Sequence, residues 1–273
     1  MKNNTGLVLM ICILLVNMGC KKALEQIHNI NGNETCCRVE SIHFTLDSSE
    51  SFPLRGDFTV RFSYNLLGNP TSAIFDKFDY TGKSGLWPDY NLYFQYDNQS
   101  RLSVIGYKYI DGNYMAYVHK IFYQADSIIV DSIYSNVIGW PNNLSGQYNS
   151  YTKHRLDSKG RIITTFTDQS PLDYISISYT YDANGNRNLH TDKTTAYDDK
   201  TNLRRTNKVW QYMDRDYSIN NAIETIAGGY NSYGLPNQIL PKPLTGYFPW
   251  FDTQFFADFI FTGKEQITYS CSK

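Results

Sequence analysis

Hydrophobic and polar positions follow three different rhythms along the chain. Leu7 to Val16 is an unbroken apolar run of ten residues. Crossing the roughly 30 Å hydrocarbon layer needs about 20, so the run fits the apolar core of a secretion signal. Ala23 to Glu34 is largely polar, contains Asn31-Gly32-Asn33, and has the composition of a flexible tether. From Cys37 onward short alternating runs dominate. Arg38 to Phe44 and Asp57 to Tyr64 set apolar side chains at about every second position and are rich in Val, Ile, Phe and Tyr. That period predicts strands with one buried face. Near the C-terminus Phe251, Phe255 and Phe259 fall at i, i+4 and i+8, with Phe256 and Ile260 beside them. This spacing predicts one short amphipathic helix packed on the sheet; a loop would leave its apolar surface uncovered. Gln266 to Tyr269 then predicts a closing strand.

Within the alternating region one short unit recurs. Tyr64-Asn65-Leu66-Leu67-Gly68-Asn69-Pro70 has the same form as Tyr230-Asn231-Ser232-Tyr233-Gly234-Leu235-Pro236. Further copies start at Tyr96-Asp97, Leu156-Asp157 (with Gly160) and Tyr181-Asp182 (with Gly185), and weaker echoes at Tyr123 and Tyr212. In each, an aromatic or apolar residue ends a strand. The Asp or Asn after it can accept a backbone hydrogen bond two residues on, and a glycine three residues later supplies the positive-φ position in most copies. Each unit therefore predicts a β-hairpin. The fold expected is all-β: consecutive antiparallel hairpins forming one twisted, curled sheet.

Composition agrees. The chain has 23 Tyr and 15 Phe, residues that suit a pleated, half-buried surface. Basic and acidic residues number 25 and 26, which gives no strong electrostatic pull toward nucleic acid or anionic lipid. Gly19-Cys20 follows Lys2 and the apolar run, and the whole stretch resembles a bacterial lipoprotein signal. Asn17 stands where an aliphatic residue is usual. The resemblance implies a signal peptide at residues 1–19, lipid on Cys20, a tether over residues 20–35 and a folded domain over residues 36–273. An ordinary cleaved signal with an incidental cysteine is the plainer alternative. With Cys12 removed and Cys20 lipidated, Cys36, Cys37 and Cys271 remain. A bridge from Cys36 or Cys37 to Cys271 would tie the first strand to the last; free thiols are the alternative.

The strings Tyr181-Asp182-Ala183-Asn184-Gly185-Asn186, Tyr96-Asp97-Asn98-Gln99-Ser100-Arg101-Leu102 and Leu156-Asp157-Ser158-Lys159-Gly160-Arg161-Ile162 resemble the Tyr-Asp repeats of the RHS/YD-repeat family. The mature chain is similar to short YD-repeat-like lipoproteins of Bacteroidetes, a family of unassigned function. The resemblance implies hairpins in series, with too few units here to enclose a cavity.

Signatures of chemistry are sparse. G-x-S-x-G, H-E-x-x-H and P-loop motifs do not occur in the sequence. His28, His43, His119, His154 and His190 are scattered singly and read as surface or strand residues. Residues 182–193 echo a calcium loop, but Arg187 and Lys193 occupy its glycine and glutamate positions, so a hairpin turn fits better. Asp126-Ser127-Ile128 and Asp131-Ser132-Ile133 match the acceptor triplet of Bacteroidetes O-glycosylation, or are simply turn-prone pairs beside a strand. Trp87, Trp140, Trp210 and Trp250 could stack on sugars, with core packing the commoner use. No catalytic residue, metal or cofactor is expected. The reading is a non-enzymatic outer-membrane lipoprotein, facing the periplasm or the cell surface, that binds or scaffolds a glycan or protein partner. The alternatives are an envelope glycan hydrolase and an accessory subunit of an outer-membrane complex.

Overall fold

Alternating side chains become a pleated meander in the computed structural model. It describes residues 37–46, 56–76, 90–110, 112, 114–124, 127–142, 145–170, 173–188, 196–240 and 263–271. Ten strands follow in order: β1 (Cys37–Leu46), β2 (Gly56–Tyr64), β3 (Pro70–Phe75), β4 (Tyr90–Tyr96), β5 (Leu102–Tyr109), β6 (Met115–Gln124), β7 (Ile128–Ile138), β8 (Ser145–Leu156), β9 (Ile162–Ser170) and β10 (Asp173–Ser178). Each pairs with its sequence neighbours. Two short strand pairs come next, β11 (Thr180–Tyr181) with β12 (Arg187–Asn188), and β13 (Tyr197–Thr201) with β14 (Asn220–Ala222). The chain then returns to the far side of β1 through β15 (Gln238–Ile239) and β16 (Gly263–Cys271). β16 pairs with β1, and β15 with β16, giving twelve antiparallel strands between the edges β10 and β15. The sheet does not close into a barrel.

One face of the sheet carries the main core. Phe44 and Phe58 stack with ring centroids 4.5 Å apart, and Phe75 leans on Phe58. Between β13 and β14 the chain folds over this face as a 3-10 turn (Leu203–Thr206) and helix α1 (Lys208–Asp214). Asn207 caps α1, its side-chain oxygen accepting from the Val209 N–H while its amide donates to the Gly68 carbonyl. Arg215, in the left-handed region at φ 48°, ends it. A seven-residue helix is marginal alone, so its packing decides. Trp210 is fully buried, edge-on to Phe62 and Phe94, and Val209 and Met213 are buried beside it. Each such side chain contributes about 1.5–3 kcal/mol by leaving water.

α1 is the α-helix among the described residues, and the sequence rhythm did not announce it. Tyr212, read as a faint hairpin repeat, lies inside it. Its apolar spacing is too short to stand out from a strand. The aromatic run at Phe251, Phe255 and Phe259 lies outside the described residues. The closing strand is present and longer than Gln266 to Tyr269.

Cys37 and Cys271 face each other in the β1–β16 register and are joined by a disulfide. The bond closes a loop of 234 positions, so it removes much of the freedom of the unfolded chain. Replacing Cys37 and Cys271 together by Ala should lower unfolding free energy by about 3–5 kcal/mol. Urea titration checks this: dithiothreitol should shift the parent midpoint to that of the double variant and leave the variant unmoved.

Candidate functional site

The recurring unit forms one turn five times over. In each, the Asx backbone N–H donates to the carbonyl four residues on, and the N–H three residues on donates back to the Asx carbonyl. The Asx side-chain oxygen accepts the fourth N–H, so Asn69, Arg101, Arg161, Asn186 and Leu235 are bonded to Asn65, Asp97, Asp157, Asp182 and Asn231. The residue three after the Asx has positive φ: Gly68 83°, Ser100 60°, Gly160 75°, Gly185 85° and Gly234 74°. Four of these are glycine, which enters that region without strain. Asp97 and Asp157 add a second contact, to the guanidinium of Arg101 and Arg161 at 2.7 Å. Burial opposes their ionisation, but the backbone and guanidinium donors outweigh it and hold both carboxyls below the usual range.

A second regularity links one unit to the next and was not visible in the sequence. In all five units the carbonyl six residues after the start accepts the hydroxyl of a tyrosine farther along the chain. Tyr96 reaches Pro70, Tyr123 reaches Leu102, Tyr181 reaches Ile162 and Tyr197 reaches Arg187. Tyr269 on the closing strand reaches Pro236, and Tyr64 reaches Val39. Arg101 stacks over the Tyr123 ring and Arg161 over Tyr181, at 4.2 and 3.9 Å. Turn aspartate, arginine and next tyrosine thus form a continuous seam. Burial pushes these hydroxyls up, Tyr123 to about 12.

Under α1 the inner face turns polar. Asp131, Thr152 and Thr167 lie in one cross-strand row on β7, β8 and β9, and His154 pairs with Thr165 in the next. His119 Nδ1 lies 3.0 Å from Asp131 Oδ2, and the Tyr212 hydroxyl donates to the same oxygen. The histidines that looked scattered therefore include two, His119 and His154, buried near one carboxylate. Burial and the nearby Arg215 hold His154 neutral, lowering it to about 3 despite Asp131. Asp131 Oδ1, Ser150 Oγ and His154 Nε2 make no hydrogen bond among the described residues. Burial opposes the charge on Asp131 too, but His119 draws it below the usual carboxylate range. The cluster pins α1 to β7.

A second buried acid lies on β16. Glu265 sits opposite Phe44 and Ile239 and is 1% exposed. Neither of its oxygens accepts a hydrogen bond among the described residues. Arg204 is already engaged by Asp214 and Asp216. Burial raises Glu265 well above 4.5; Arg204 offsets part of this and Asp214 adds to it.

The opposite face carries a smaller cluster. Met115, Val118 and Val137 are buried among Tyr93, Val104, Tyr134 and Trp140. Trp140 lies on Gly106, where a Cβ would come within 2.9 Å of the indole. Tyr148 meets the Tyr134 ring and is half exposed. Of the tryptophans, Trp210 is core and Trp140 is half-buried; Trp87 and Trp250 lie outside the described residues. So do Cys20, Cys36 and Asp126. The Asp182 turn oxygen is taken by Asn186, as expected of a hairpin. No family model matches the chain, and no curated protein is similar to it.

The turn and the buried acids each yield a test. Asp157→Ala should cost about 1–2 kcal/mol in urea unfolding by orphaning the backbone donors. Asp157→Asn should recover most of it, because Asn65 and Asn231 make the same turn. Glu265, raised in the folded state, makes stability fall as pH rises above about 4.5, since the unfolded chain releases that proton first. His154, lowered to about 3, makes stability fall as pH drops below about 6.5. Glu265→Gln should remove the first slope and leave the second, as read from urea midpoints between pH 4 and 8.

Proposed function

We propose that this chain is exported, anchored in the cell envelope through a lipid on Cys20, and acts there by binding or scaffolding rather than by catalysis. The Cys37–Cys271 bond carries the reading, because structural disulfides persist in oxidising compartments. Ahead of it lie the charged start, the ten-residue apolar run and Gly19-Cys20. The Tyr-Asx turns support kinship with YD-repeat-like outer-membrane lipoproteins.

Binding is favoured over hydrolysis by how the acidic side chains are used. Glycoside hydrolysis needs two carboxyls about 5–10 Å apart flanking a bound sugar. Here Asp97 and Asp157 close turns, while Asp131 and Asp214 lie buried in internal contacts. The face bearing Tyr93, Tyr134, Trp140 and Tyr148 offers rings and hydroxyls, a surface suited to a glycan or protein partner. The anchor is tested by growing cells with an alkyne analogue of palmitate. The parent chain should take the label and begin at Cys20, and Cys20→Ser should take none. An unlabelled parent, or a mature start elsewhere, overturns the reading.

A further inference from the structure

The first described residue of the fold stands at a marked place. β1 begins at Cys37, directly opposite the last residue of β16. The Tyr64 hydroxyl reaches Val39, so the β2–β3 turn stands on one side of that strand end. Tyr269 pairs with Val39 and reaches Pro236, so the turn at residues 231–234 stands on the other side. Two turn tips therefore flank the start of β1, on either side of Cys37 and Val39.

Those tips are unlike the rest. Leu66 is 103% exposed, Leu67 57% and Tyr233 39%. The other tips carry Asn98-Gln99, Ser158-Lys159 and Ala183-Asn184. The leucine side chains do nothing for their turn, whose bonds come from the Asn65 side chain and the backbone. Two cations attend the same turn. The Arg38 guanidinium lies against Gly68, 3.1 Å from where a Cβ would stand. Asn207 donates to the Gly68 carbonyl, which brings its exposed neighbour Lys208 to that turn.

We propose that this end of the sheet rests in the headgroup layer of the membrane, with Leu66 and Leu67 inserted at the acyl boundary. Tyr233 sits at the interface, where an amphipathic ring is favoured, and Arg38 and Lys208 face lipid phosphates. The choice of a lipid surface over a protein rests on the anchoring reading above: a chain anchored at Cys20 connects to the bilayer through Cys37, at this end of the fold. A lipid on a tether fixes position and leaves orientation free. The inserted tip fixes orientation and turns the long axis of the strands away from the membrane.

The test uses the mature chain with Cys20→Ser, exported behind an ordinary cleavable signal, and vesicles of phosphatidylethanolamine and phosphatidylglycerol at 3:1. It should co-sediment with the vesicles, less so as salt rises. Leu66→Ser with Leu67→Ser should reduce the bound fraction at least about fivefold. Leu67→Trp should restore or raise it. Retention of the disulfide and the urea midpoint shows that each variant is folded. Equal binding by the serine variant overturns the proposal, as does a parent that never sediments. A protein captured through the leucines without vesicle binding also overturns it. The palmitate labelling separates the two readings: an unlabelled Cys20 with leucine-dependent sedimentation sinks the anchor alone, and a labelled Cys20 without it sinks only the tip.

Discussion

An Asx side chain bonded to its own turn, and a tyrosine hydroxyl bonded to the turn before it, set the geometry on which the other parts rest. The first bond fixes where each strand reverses. The second fixes how far the next hairpin lies from the last, since the hydroxyl reaches a carbonyl at a constant position in the preceding unit. A buried phenol needs such a partner, and the carbonyl opening a return strand has a lone pair to spare. Where Leu156 replaces tyrosine the hydroxyl is absent, yet the Asp157 turn is intact. Turn and staple are thus separable, and loss of one staple is tolerated within a sheet paired on both sides.

A sheet built this way grows by addition, and its two ends must be managed. At one end the chain returns to pair β16 with β1, and the disulfide locks that register. Across the inner face the same chain supplies a cover. Trp210 and its neighbours bury the aromatic half over the first strands, while the half over β7 to β9 remains polar. Buried polar groups there are held by one another, His119 and Tyr212 to Asp131, and His154 to Thr165. Ser150 Oγ and both oxygens of Glu265 have no such partner among the described residues, and burial beside a cation already shared favours the neutral form of Glu265.

These features divide the molecule by role. The inner face and its cover hold structure. The outer face, with Trp140 laid on Gly106, offers aromatic surface. The end bearing Leu66, Leu67 and Tyr233 exposes apolar side chains beside the start of β1.

Local patterning alone determined the strands from Arg38 to Tyr64, the hairpin units and the closing strand, because alternation and turn chemistry act within a few residues. Counting cysteines left a bridge from Cys36 or Cys37 to Cys271 open beside free thiols. The choice of Cys37 was tertiary, decided by the β1–β16 register. So was the meeting of His119, Asp131, His154 and Tyr212, which come from three strands and a helix and share no spacing. Helix α1 was hidden because seven residues hold too few turns to show a period, and its stability comes from burying Trp210. The tyrosine staples were half visible: the residues recur in the sequence, but the carbonyl each one reaches belongs to another hairpin, and only folding brings the two together.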